Sequence, residues 1–168
     1  MVWLSPTLPE VLRSNRFDLA LVGVDEARAA ARGERQPTWH PDYPRPDDLD
    51  AFSMVKSLSL WGPRHIVRRV DSMVIGSVGF FGPPVAGADE VAEAEIGYGL
   101  VEYARGHGVA TEVVRALVAA CEVAEVRVRA RTEPTNTASM RVLAKCGFTD
   151  LRGSDDEGNL VLARPLRG

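Results

Sequence analysis

Glu93-Ala-Glu-Ile-Gly-Tyr-Gly-Leu-Val-Glu-Tyr-Ala-Arg-Gly-His-Gly-Val-Ala-Thr-Glu112 is the stretch whose reading decides the fold. Ala94, Ile96, Tyr98 and Leu100 alternate with Glu93, Glu95, Gly97 and Gly99, which predicts a strand over 91–100 with two distinct faces. Beyond Arg105-Gly106-His107-Gly108-Val109-Ala110 the period changes. Ala110, Val113, Val114, Leu117, Cys121 and Ala124 recur at helical spacing, so a strand turns directly into an amphipathic helix over 106–124. A helix start leaves backbone N–H groups without partners at the positive end of its dipole, and that attracts anions. Gly106 and Gly108 clear side chains from those donors, while Arg105 adds a cation. The same glycines also suit a plain tight turn, and the hexad alone does not choose between the two.

Two familiar phosphate loops fail on these residues. No Gly-Lys-Ser/Thr follows, as a P-loop requires, and Thr111 stands where a dinucleotide fingerprint needs its third glycine. Arg105-x-x-Gly108-x-Ala110 between strand and helix resembles instead the pyrophosphate loop of the GNAT superfamily of acyl-CoA-dependent N-acetyltransferases. Asn136-Thr-Ala-Ser139-Met-Arg-Val-Leu-Ala-Lys-Cys-Gly147-Phe148 is similar to that superfamily's second CoA-contacting helix. The Asn-x-x-Ser version resembles the branch containing the ribosomal-protein N-terminal acetyltransferases. The likeness is strongest over about 94–148 and faint before Val55.

The bulk of the chain agrees with one soluble domain. Its 168 residues suffice for a single core, and 45% hydrophobic with 26% charged residues is an ordinary globular composition. A net charge of −3 provides no basic field for nucleic acid or an anionic membrane. Met1-Val-Trp-Leu-Ser-Pro6 has neither the basic residues nor the apolar core of a leader, so a cytoplasmic location is expected. Cys121 and Cys146 fall at apolar helical positions and are read as buried small hydrophobes. His40, His65 and His107 lack metal-ligand spacing, so no metal is expected.

Elsewhere the patterning predicts a strand over 16–22, a helix over 25–32, and a proline- and aromatic-rich loop over 33–48. A helix over 47–58 follows, then two strands within 65–81 about Asp71-Ser72, and a loop over 82–89. Residues 125–132 alternate again, with Arg127, Arg129 and Arg131 on one face, either solvated or available to phosphate. Asn136 caps a short helix that ends at Gly147, and a hairpin over 148–163 closes the chain. The expected fold is α/β of the α+β kind: a mixed, largely antiparallel sheet of about seven strands with about four helices on its faces.

The resemblance implies the same fold as a single N-acetyltransferase domain over 1–168. Its acetyl-CoA core would lie at about 91–150 and its acceptor side at about 16–90. The fourth and fifth strands would splay apart to admit acetyl-CoA. Gly99 N–H would then face the acetyl carbonyl, and the Leu100 and Val101 backbone would bond the pantetheine amides. Arg105, Gly106, His107, Gly108, Val109, Ala110 and Thr111 would cradle the pyrophosphate, with Asn136 and Ser139 beside the pantetheine arm.

Glu95 matches the position of the general base, with Glu93 as the alternative. Many members carry a thiolate-protonating tyrosine four residues before the final Gly-Phe. Here that position is Leu143; the Asn-x-x-Ser likeness implies that Ser139 would position the thiol or bridge it to water, unless the thiol leaves unaided. Arg141 and Lys145, spaced i, i+4, either meet the 3′-phosphate of CoA or form a solvated face.

Direct acetyl transfer to an amine is therefore expected, the acceptor being a protein N-terminal α-amine or a small amine. The alternatives are a catalytically weak acyl-CoA-binding regulatory module and a nucleotide-binding regulatory domain. Asp47, Asp48, Asp50, Glu93 and Glu95 suit a cationic acceptor, and Trp39, Tyr43, Trp61, Phe80 and Phe81 are candidates for its walls. These surfaces serve equally for packing or for a homodimer contact.

Overall fold

The computed structural model describes residues 6–167; Met1–Ser5, read above as the start of a chain without a leader, lies outside them. The strand–turn–helix forms as its patterning dictates: β6 spans Ala92–Leu100 and α3 spans Val109–Val123. Ala94, Ile96 and Leu100 of β6 bury against the stripe Val109, Val113, Val114, Leu117, Val118 and Cys121 of α3. Around this unit the sheet runs β1(Val11–Arg13), β2(Phe17–Leu21), β3(Pro63–Arg68), β4(Met73–Phe80), β6, β7(Arg127–Thr132), β9(Leu160–Arg164), β8(Asp150–Ser154). β5(Val85–Ala86) pairs with the start of β6.

That makes nine strands among the described residues where about seven were expected. The two additions are the three-residue β1 and the two-residue β5, too short to show an alternation. β6 and β7 are parallel and joined through α3; the other pairings are antiparallel. Such a crossover is what a parallel neighbour requires.

Four α-helices form among the described residues. α1(Val24–Ala31) and α2(Pro46–Ser53) pack together on one side, α3 and α4(Thr137–Lys145) on the other. α2 starts one residue before the expected 47 and stops well before Leu58. Pro46 occupies the first turn, where a missing N–H is harmless. Asp48 accepts the Arg45 N–H at 2.8 Å, so it closes the helix start from inside. At the far end Lys56, Ser57 and Leu58 are exposed, and no apolar face remains to extend the helix.

Two polar networks pin the sheet to its surroundings. Arg64 is wholly buried and donates to the carbonyls of Pro9, Glu10, Leu19 and Leu60, and burial pulls its guanidinium down to about 10. On the α1 and α2 face, His65 stands between Glu26 Oε1 at 2.6 Å and Tyr43 Oη at 2.7 Å. Trp39 and Tyr43, proposed pocket walls in the sequence, pack edge to face in this core. Both cysteines are free and buried.

Candidate acyl-transfer site

β6 and β7 pair only from Glu93–Arg127 to Ile96–Ala130, although β6 runs on to Leu100. Beyond Ile96 the two strands part. The edge that β6 shows to this gap follows from its other edge. Glu95 C=O accepts the Phe81 N–H and Val101 N–H donates to Ile75 C=O, both across to the β4 side at 3.0 and 2.9 Å. The register with β4 is unbroken between them. Backbone groups alternate edges along a strand, so Gly97 and Gly99 also point to β4, while Tyr98 and Leu100 point into the gap. The Gly99 N–H, expected in the gap, thus points to β4, as does that of Val101, and the N–H groups on the gap edge are those of Tyr98 and Leu100. The Leu100 carbonyl, in turn, accepts Arg105 Nε at 3.3 Å.

The faces of β6 differ as sharply as its edges. On the α2 face, Gly97 lies beneath the Phe81 ring, where an added Cβ would stand 2.8 Å from Phe81 Cζ. Gly99 lies beneath the Arg45 guanidinium. Arg45 is held there by Asp48 through Nε at 3.0 Å and Nη2 at 2.9 Å, and buried Asp48 also accepts the Ser77 hydroxyl. The space directly over the two glycines is therefore taken by the protein's own side chains.

The turn is open by contrast. Gly106 and Gly108 have φ of 78° and 74°, the left-handed region that glycine enters without a Cβ penalty. Nothing lies within 4 Å of a Cβ built on Gly106, and the nearest atom to one on Gly108 is Arg16 Nη2 at 3.9 Å. The first amides of α3, at Val109, Ala110 and Thr111, follow directly; Glu112 N–H returns to Gly108 C=O. Arg16 is a cation the sequence reading missed. It donates to the His107 carbonyl at 3.0 Å and pairs with Glu112 at 2.7 Å. A separation of 91 residues from His107 left no local signal for it.

Glu93 and Glu95, alike in sequence, meet different surroundings. The Glu93 side chain is 7% exposed and takes Arg127 at 2.5 Å and Arg152 at 2.8 and 2.9 Å, so both oxygens are occupied. Burial tends to raise its pKa, but Arg127 and Arg152 outweigh that and lower it. Glu95 receives Arg129 and Arg131, at 3.1 and 3.0 Å, both on Oε1. Among the described residues nothing donates to its Oε2. The arginine face of β7 is thus ion-paired, with the β6 carboxylates, Asp89 and Asp155, while Arg129 and Arg131 remain partly in solvent.

A cavity of about 650 Å³ occupies the parting of the strands, lined by Glu95, Tyr98, Arg131, Asn136 and Ser139 among others. Asn136 caps α4 by accepting Ser139 N–H at 3.0 Å, and Ser139 Oγ lies 2.8 Å from Tyr98 Oη. Leu143, at the usual tyrosine position, is fully buried. Arg141 and Lys145 are exposed on α4. A second cavity of about 820 Å³, lined by Arg45, Asp47, Asp50, Trp61, Phe80 and Phe81 among others, adjoins across Phe81 and Gly97. Among the described residues no group of three His, Cys, Asp or Glu side chains is placed to hold a metal ion. No described helix is long and apolar enough to cross a membrane.

The Acetyltransferase (GNAT) domain family matches residues 20–149, and this chain belongs to that family of acyltransferases. Among solved structures, a Bordetella pertussis protein described as a GNAT-family acetyltransferase is 24% identical, with 94% of this chain and 100% of that one covered and a TM-score of 0.64. The ribosomal-protein-S5-alanine acetyltransferase of Vibrio fischeri is 16% identical, covering 93% and 96%, with a TM-score of 0.63. Mycobacterium smegmatis RimJ, solved with CoA-disulfide, is 22% identical, covering 94% and 87%, also at 0.63. No curated protein matches.

Proposed function

We propose that this protein transfers acetyl from acetyl-CoA directly to an amine. The observation that carries the reading is the parting of β6 from β7 after Ile96 and Ala130, with an open carboxylate oxygen and a free strand edge in the gap. Acetyl-CoA fits the residues present. The open glycine turn and the start of α3 suit a pyrophosphate, Arg16 and Arg105 stand at its rim, and Asn136 and Ser139 flank the arm that leads inward. When bound, the cosubstrate supplies an activated acyl group.

The chain's own residues then have three tasks. Tyr98 N–H, on the gap edge, stabilises negative charge as it grows on the thioester oxygen. Glu95 Oε2 accepts the amine's proton, directly or through one water, because an amine, with a pKa near ~8 for an α-amine and ~10 for an alkyl amine, is mostly protonated at neutral pH. Arg129 and Arg131 hold Glu95 in place through its other oxygen.

A protein N-terminal α-amine is the first acceptor class. The Asn136-x-x-Ser139 helix start and the likeness in fold to ribosomal-protein acetyltransferases support it. A second reading, an acyl-CoA-binding regulatory module of weak activity, is favoured by Leu143, which puts no hydroxyl at the usual helix position. Calorimetric titration with acetyl-CoA, CoA, ATP and NAD, followed by turnover on a panel of N-terminal peptides and small amines, separates them. Binding of acetyl-CoA with turnover supports the transferase; binding without turnover on any amine supports the module. No binding overturns both.

A further inference from the structure

The sheet supplies a phenol where α4 carries Leu143. Tyr98 Oη lies 2.8 Å from Ser139 Oγ and 3.4 Å from the Ser139 carbonyl. Because Tyr98 and Glu95 differ by an odd number of residues, their side chains leave opposite faces of β6. Glu95 stands on the α2 face of the gap, and the Tyr98–Ser139 pair closes its α4 face. An attacking amine and a departing sulfur need such opposed partners. One loses a proton while the other gains negative charge.

We propose that Tyr98 is a positioning residue for the leaving group. Its O–H donates to Ser139 Oγ, and Ser139, with no other partner for that oxygen among the described residues, is left to aim its own O–H at the thioester sulfur. The inference rests on the acetyl-CoA reading above. As the amine's lone pair forms the C–N bond, the C–S bond breaks and its electron pair stays on sulfur. The amine's proton passes to Glu95, and Ser139 O–H holds the thiolate until it takes a proton from solvent. Burial raises the Tyr98 pKa, ahead of the opposing hydrogen bond with Ser139, so the phenol keeps its proton at neutral pH.

The test reads the thiol of bound CoA by the ultraviolet absorbance of its thiolate across pH, subtracting protein alone, so it needs no acceptor. Burial pushes Cys121 up to about 12 and raises Cys146 as well, which keeps the protein's own thiols above the range in which a thiol ordinarily titrates, near ~8.5. In wild type the bound thiol is expected to titrate about one pH unit or more below its midpoint in Tyr98→Phe. Ser139→Ala should match Tyr98→Phe, and the double variant should shift no further than either, because the two hydroxyls act as one path. A Tyr98→Phe midpoint equal to wild type at equal CoA affinity overturns the proposal. So does an unchanged midpoint in Ser139→Ala, whether or not Tyr98→Phe folds. Wild type that binds no CoA overturns the donor-site reading itself, an outcome distinct from these.

Discussion

Gly97 and Gly99 on β6 and Gly106 and Gly108 in the turn are the same residue at the same spacing within a dozen positions, yet the fold uses them in opposite ways. The first pair is covered by Phe81 and Arg45; the second is left open at the start of α3. Glu93 and Glu95 repeat the contrast. One carboxylate is saturated by arginines, and the other keeps an oxygen for the cavity. A small or charged residue in a strand announces that something comes close, but only the fold decides whether that is the protein itself or a ligand.

The largest expected difference separates the two carboxylates. Glu95→Gln should lower turnover by roughly 10²–10⁴ with acetyl-CoA affinity nearly unchanged, as loss of a general base does. Glu93→Gln should instead act on stability, costing about 1–3 kcal/mol as Arg127 and Arg152 lose a charged acceptor. Steady-state kinetics beside denaturant melts reads both. Equal losses of turnover in the two variants would erase the distinction.

Next in size is the contrast between glycine pairs. A Cβ at Gly106 meets no atom of the protein within 4 Å, so beyond a left-handed backbone cost of about 1–2 kcal/mol the effect of Gly106→Val should fall on the ligand. Acetyl-CoA binding by calorimetry should weaken about 100-fold, near 2.7 kcal/mol. Gly99→Ala places its methyl in the Arg45 guanidinium and should cost about 1–3 kcal/mol of stability by overpacking. If Gly106→Val binds acetyl-CoA normally, the turn is only a turn.

A smaller effect follows from pH. The folded pKa of Glu93 lies below its ordinary value of 4.5, so its contribution is fully present above that value and is lost as pH falls through the folded pKa. The stability gap between wild type and Glu93→Gln should therefore hold from neutrality to about pH 5 and close below it. A gap that widened on acidification would contradict the arginine pairing.

These contrasts also mark how far the sequence could be read. Period carried β6, α3 and β7, since each buries a face long enough to repeat, and Asn136 and Gly147 marked both ends of α4. The open turn at Gly106 and Gly108 was legible because its cause is local: two left-handed residues before a helix. Arg16, Arg45 and Tyr98 were not legible. Each reaches the site across the sheet, from the β1–β2 turn, from the start of α2, or from the far face of β6. That the gap edge carries the N–H of Tyr98 and not of Gly99 has the same origin: alternation fixes which residues share an edge, but only the pairing with β4 says which edge faces the gap.

Phe81 gives the finest test, because its ring stands between the two cavities and lines both. Its ring lies on Gly97 yet is 55% exposed, and its backbone N–H is already committed to Glu95 C=O. Removing the ring should therefore leave the strand pairing intact. An aromatic half in water contributes less than the ~1.5–3 kcal/mol of a fully buried one, so Phe81→Ala should lower stability by only about 1 kcal/mol. It would nevertheless merge the spaces of about 820 and 650 Å³ beside Glu95. Acceptor selectivity should relax, with bulkier second residues tolerated on N-terminal peptides and kcat/KM changing several-fold between them. Unchanged ratios across such a series would show that the acceptor approaches Glu95 without passing Phe81, leaving the smaller cavity alone as its path.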